Sequence, residues 1–142
     1  MERLTLDSSV IVAALRRPEE KHHECIKLLE GIINGDFEAV EPYSVLVEVV
    51  AAVKRRTGSE QFARRIRDNL LSIDTISFEE LVRFRAEKAA EMALLSGLRG
   101  MDALVVQIAK ENNCVLVTLD SEMIKLGQRF VKTKTVEELL KN

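Results

Sequence analysis

Apolar residues in this chain come in short blocks broken by charged and turn-forming residues, and the blocks are of two kinds. Arg3-Leu4-Thr5-Leu6-Asp7 reads as a short strand. Cys114-Val115-Leu116-Val117-Thr118 is a continuous apolar strand of the kind buried inside parallel sheets. Glu38-Ala39-Val40-Glu41 and the alternating Ser72-Ile73-Asp74-Thr75-Ile76 predict further strands, with Phe130-Val131-Lys132-Thr133 at an edge. Helices are predicted between them. One opens at Ser8-Ser9 and is ended by Pro18, and an amphipathic one over 19–33 is closed by Asn34-Gly35. Others follow over 60–71, 78–96, 102–112, 120–126 and 136–141. Strands separated by helices predict an α/β fold with a central, mainly parallel sheet flanked by helices on both faces. With no repeat, low-complexity tract or linker, residues 1–142 read as a single domain.

One block breaks the pattern. Val45-Leu46-Val47-Glu48-Val49-Val50-Ala51-Ala52-Val53 does not alternate, follows Pro42 and ends in Lys54-Arg55-Arg56. It predicts a largely buried helix with a cationic end. Its single carboxylate, Glu48, must then be buried or line a cleft. Either way it requires a proton or a cation, because an isolated buried charge is very costly.

Composition narrows the function classes. Hydrophobic residues make up 46% and charged residues 31% of 142, which is ordinary for a globular domain. Aromatics are 4% with no Trp, which argues against gripping single strands by stacking bases on rings. A net charge of −2 excludes coating nucleic acid by charge alone, so such a substrate needs a local basic patch or bound metal ions. Cys25 and Cys114 are far apart without metal-ligand spacing and read as reduced core thiols of a cytoplasmic protein. No signal peptide is evident, and no segment has the roughly 20 apolar residues that cross a bilayer.

Asp7 and Asp120 each stand just past the carboxyl end of a strand and just before a helix, where open parallel sheets bind ligands. Asp102 follows the turn-like Leu98-Arg99-Gly100 and opens another helix. All three suit N-cap positions, where a carboxylate accepts a backbone N–H. Capping does not account for Glu48 inside a helix, nor for acids at the ends of two apolar strands expected to be adjacent. Four carboxylates at one sheet edge repel each other, and a divalent cation relieves that repulsion. With no His or Cys in the group, Mg²⁺ or Mn²⁺ fits better than zinc.

The blocks Leu6-Asp7-Ser8-Ser9-Val10, Glu48 in its helix, Gly100-Met101-Asp102-Ala103-Leu104 and Val117-Thr118-Leu119-Asp120, in that order, resemble the PIN-domain nucleases. The likeness spans essentially the whole chain and is strongest to the compact VapC-type toxins of prokaryotic toxin–antitoxin pairs. It implies a three-layer α/β/α PIN-like fold, metal-dependent cleavage of RNA, a cognate antitoxin and a homodimer. It carries Asp7, Glu48, Asp102 and Asp120 over as catalytic and metal-binding acids. Thr118 matches the hydroxyl residue two before the last acid, Ser9 the small polar residue after the first, and Glu122 an outer acid. Where the family often has an aromatic residue after the last acid, this chain has Ser121-Glu122-Met123.

Lys54, Arg55 and Arg56, with Arg99, are candidate RNA contacts, and Arg64, Arg65 and Arg67 extend the basic stretch. Phe62, Ile66 and Leu70 recur at spacing four, as an exposed groove for an antitoxin helix or as ordinary core. His22-His23 are neighbours on a helix, point apart and read as surface residues. Competing readings are an RNA- or protein-binding module without catalysis, an RNA-processing nuclease without an antitoxin, and an aspartyl-phosphate phosphatase. Ser9, standing where such a phosphatase needs a second Asp, counts against the last.

Overall fold

A computed structural model describes residues 1–141. Among them are β1 (Glu2–Leu6), α1 (Ser8–Leu15), α2 (His22–Ile33), β2 (Phe37–Pro42), α3 (Tyr43–Thr57) and α4 (Glu60–Ser72). They are followed by β3 (Ile76–Glu79), α5 (Arg83–Ser96), α6 (Gly100–Glu111), β4 (Val115–Val117), α7 (Ser121–Gly127) and α8 (Val136–Leu140). All strand pairs are parallel, in the order β3-β2-β1-β4.

That order dictates the layers. The chain steps from β1 to β2 to β3 in one direction and then jumps back past β1 to β4. Right-handed crossovers place the helices of the first two steps on one face and those of the return on the other. Accordingly α1, α2 and α3 pack together, with α8 on α2 and α4 on α3. On the other side α6 lies against β1, β2 and β4, with α5 outside it. The result is the predicted three-layer α/β/α arrangement. The core is aliphatic, with Leu4, Leu28, Ile32, Val49, Ile108 and Leu116 at 0% exposure.

Several boundaries differ from those predicted. Ser59 caps α4 by accepting the Phe62 N–H, and this helix runs through Ser72, so β3 starts only at Ile76. Residues 78–82, read as helix, complete that strand and a loop, and α5 begins at Arg83. Residues 19–21 precede α2 rather than opening it. The expected edge strand at 130–133 shrinks to one bridge, Leu116 to Thr133.

The Glu48 helix is not buried all round. Only Val45, Val49 and Val53, one stripe at spacing four, are buried on α3, while Val47 is 66% exposed. Its apolar opposite side faces a groove rather than a second layer, and α3 ends at Gly58 in the left-handed region that glycine tolerates. The stripe Phe62, Ile66, Leu70 is core: Ile66 and Leu70 are buried and Phe62 packs on them, because α4 turns that face to α3. It therefore offers no antitoxin groove.

Candidate active site

In sheets of this kind the ligand crevice opens at the point where the strand order reverses, here between β1 and β4. The register Leu6↔Val117 brings Asp7 and Thr118 side by side, and the Asp7 N–H donates to Val117 O at 2.8 Å. Asp7, at the N-cap of α1, makes no side-chain cap bond. Instead its Oδ2 accepts from Ser9 Oγ at 2.8 Å and from Thr118 Oγ1 at 2.9 Å. Each hydroxyl also accepts an N–H from the loop after β4: Leu119 to Ser9 and Asp120 to Thr118. Ser9 and Thr118 thus tie the first acid to the segment bearing the last. Both occupy Oδ2, so Oδ1 takes no hydrogen bond among the described residues.

Asp120 realises the cap reading, its Oδ1 accepting the Glu122 and Met123 N–H groups at the start of α7. Asp102 does not cap. Arg99 is the N-cap of α6, which starts two residues earlier than predicted, and Asp102 sits in its first turn. There the helix dipole favours a negative charge. Glu48 is half-buried on the groove side of α3.

Charge links Glu48 to Asp7 and Asp102, and Asp102 to Asp7 and Asp120. Burial pushes the Glu48 carboxyl above its ordinary pKa, the charges of Asp7 and Asp102 add to this, and the Ser8 hydroxyl offsets part of it. Asp102 is raised by burial, then by Asp7 and Asp120, with Arg99 opposing and Glu122 adding a little. Among the described residues no three His, Cys, Asp or Glu side chains stand close enough to hold an ion as they are. The donor chemistry nevertheless fits a hard divalent cation: every donor is a carboxylate oxygen, and two of the acids are destabilised as anions by burial first and by the other acids next.

The site opens onto a groove of about 770 Å³ between α1, the α1–α2 loop and α3. Ser8, Ser9 and Glu48 line one part, and Lys21, Arg55 and Arg56 another. Of the basic candidates, Arg55 and Arg56 therefore face the groove. Arg56 pairs with Glu19 on its rim. Lys54 instead reaches the carbonyl of Gly58, and Arg64 and Arg67 pair with Glu60 and Asp68 on α4. Arg99 is exposed beside Asp102. His22 bonds the Ala13 carbonyl through Nδ1, and Cys25 and Cys114 are buried free thiols, as expected.

Sequence reasoning missed one carboxylate, Glu41, which is 0% exposed at the end of β2. Its only signal was an acid closing a strand that is otherwise apolar after Glu38.

A family model described as "PIN domain" matches residues 4–128. No curated protein sequence matches the chain. Among solved structures the fold is similar to VapC20 of Mycobacterium tuberculosis, described as a sarcin–ricin loop cleaving toxin. The TM-score is 0.74 at 15% identity, covering 92% of this chain and 98% of that one. It is also similar to VapBC2 from Rickettsia felis bound to a promoter DNA fragment (TM-score 0.63, 18% identity, 95% and 98% covered). A third is DNA-bound VapBC from Salmonella typhimurium (TM-score 0.63, 14% identity, 96% and 99% covered).

Raised carboxyl pKa values have a signed consequence. The unfolded chain releases these protons at lower pH than the folded one, so the folded state is penalised as pH rises from the ordinary carboxylate range through the raised values. The surface acids Glu111 and Glu137, whose pKa values are lowered by Arg85 and Lys21, act in the opposite sense only below the ordinary range. Metal-free protein should therefore lose melting temperature as pH rises above the ordinary carboxylate range, and Glu48→Gln should lessen that loss without abolishing it, since the buried Glu41 contributes in the same sense. Thermal melts in chelator check this. An identical pH slope in the variant would show that Glu48 carries no such penalty.

Proposed function

The chain belongs to the PIN-domain family, and from that membership we propose that it is a Mg²⁺- or Mn²⁺-dependent endoribonuclease, the toxin of a toxin–antitoxin pair. The observation that carries this reading is the convergence of Asp7, Glu48, Asp102 and Asp120 beside a groove whose wall bears Arg55 and Arg56. Asp7, Asp102 and Asp120 are the residues to hold the ion, with Ser9 and Thr118 fixing Asp7 and Glu122 adding negative field at the rim. A divalent ion bound there supplies a more acidic water and positive charge against the phosphodiester. Glu48, with its raised pKa on the groove wall, orients the attacking water and takes up its proton. Arg55, Arg56 and Arg99 meet the phosphates on either side of the scissile bond, which positions the strand without reading its bases.

The partner reading is supported by the VapBC complexes among the similar folds. Self-association is supported by α5, which packs chiefly on α6 and exposes Phe84, Leu94 and Leu95 at 65%, 80% and 57%. Apolar surface of that kind marks an interaction face. Leu94→Glu should convert a dimer into a monomer in sedimentation velocity. Native protein that is monomeric at high concentration would remove this part of the reading.

Asp7→Asn should keep the far-UV circular dichroism spectrum and lower Mn²⁺-dependent RNA cleavage by at least ~100-fold, a loss of about 2.7 kcal/mol of transition-state stabilisation. Native-rate cleavage by this variant, or by native protein in EDTA, would refute the assignment. Arg55→Ala should weaken RNA binding and reduce the slope of log K against log salt by about 1. An unchanged slope would leave Arg55 a surface residue.

A further inference from the structure

Glu41 occupies a place where a strand ladder has failed. β1 and β2 are in register only as far as Leu4↔Ala39, whereas β2 continues with β3 to Pro42↔Glu79 and β1 continues with β4 to Leu6↔Val117. The two central strands therefore part just before the acid site. Side chains bridge the fork. Thr5 Oγ1 donates to Val40 O at 2.8 Å, and Glu41 Oε2 accepts the Leu6 N–H at 2.7 Å. The second oxygen, Glu41 Oε1, is buried and without a partner among the described residues.

A fully buried carboxyl is a costly way to satisfy one amide. Its location gives it a further use. The Asp7 N–H is held by Val117 on β4, and the preceding amide is held by Glu41 from β2, so the backbone entering Asp7 is fixed from both sides. Resting on the metal-site reading above, we propose that Glu41 is a positioning residue for that site: by accepting the Leu6 N–H across the β1–β2 fork, it fixes the direction in which Asp7 leaves the sheet. It touches no reacting atom and acts through the main chain. Burial drives its carboxyl far above the usual carboxylate range, with the charge of Asp7 adding to the effect. Glutamine matches it in shape and keeps an acceptor oxygen.

The test is Mn²⁺ affinity, measured by titration calorimetry on the full chain, beside thermal stability. Glu41→Met fills the space but removes the acceptor. It should raise the Mn²⁺ dissociation constant about 10–100-fold, the usual effect of losing a group that orients a ligand. Glu41→Gln should stay within about threefold of native, in line with its retained acceptor. Glu41→Asp, too short to reach Leu6 in the same backbone, makes the same test as Glu41→Met should the latter not fold, with the same expected loss. Folded Met or Asp variants with native Mn²⁺ affinity, even at a lowered melting temperature, would overturn the proposal and leave Glu41 purely structural. So would a large loss in folded Glu41→Gln. Native protein that binds no Mn²⁺ would instead sink the metal-site reading itself.

Discussion

β1 sits between β2 and β4 because the chain reverses its direction across the sheet after β3, and the rest of the site depends on the resulting β1–β4 pairing. Pairing two parallel strands in that register sets the residues following Leu6 and Val117 beside each other. The acids do not attract one another; left alone they repel. What keeps Asp7 and the Asp120 loop together is the main-chain ladder reinforced by Ser9 and Thr118, each donating to Asp7 and accepting from the loop. Fold energy is thus used to hold like charges together.

The same arrangement explains the division of labour around the groove. Asp7 is buried and doubly hydrogen-bonded, Asp120 is engaged in a helix cap, and Glu48 and Asp102 are half-buried with raised pKa values. Asp7 and Asp120 follow the ends of β1 and β4. Glu48 and Asp102 sit on helices that enter from opposite layers, α3 from one face and α6 from the other. The four acids thus draw on all three layers.

Much of this was legible in the sequence, for reasons that differ by residue. The strands at 3–7 and 114–118 stood out because parallel strands buried on both faces need continuous apolar runs, and the acids following them marked the site. Glu48 was legible as an anomaly, though α3 proved one-sided: composition alone does not distinguish a buried helix from one whose apolar side lines a groove. The start of β3 was hidden because Ser72-Ile73 is equally suited to a helix end and a strand start. Asp102 suits a cap as well as a site acid in sequence, because the helix start at Gly100 has no side-chain cap to announce it. Glu41 was illegible for a deeper reason. Its role arises from the parting of β1 and β2, a property of register that no local pattern encodes.

The Thr118–Asp7 hydrogen bond joins residues 111 positions apart. A chain made from its N-terminus carries Asp7 and Glu48 well before β4 exists to pair with β1. Non-local parallel pairing is also slow to form. The acid cluster therefore closes only once β4 has docked on β1.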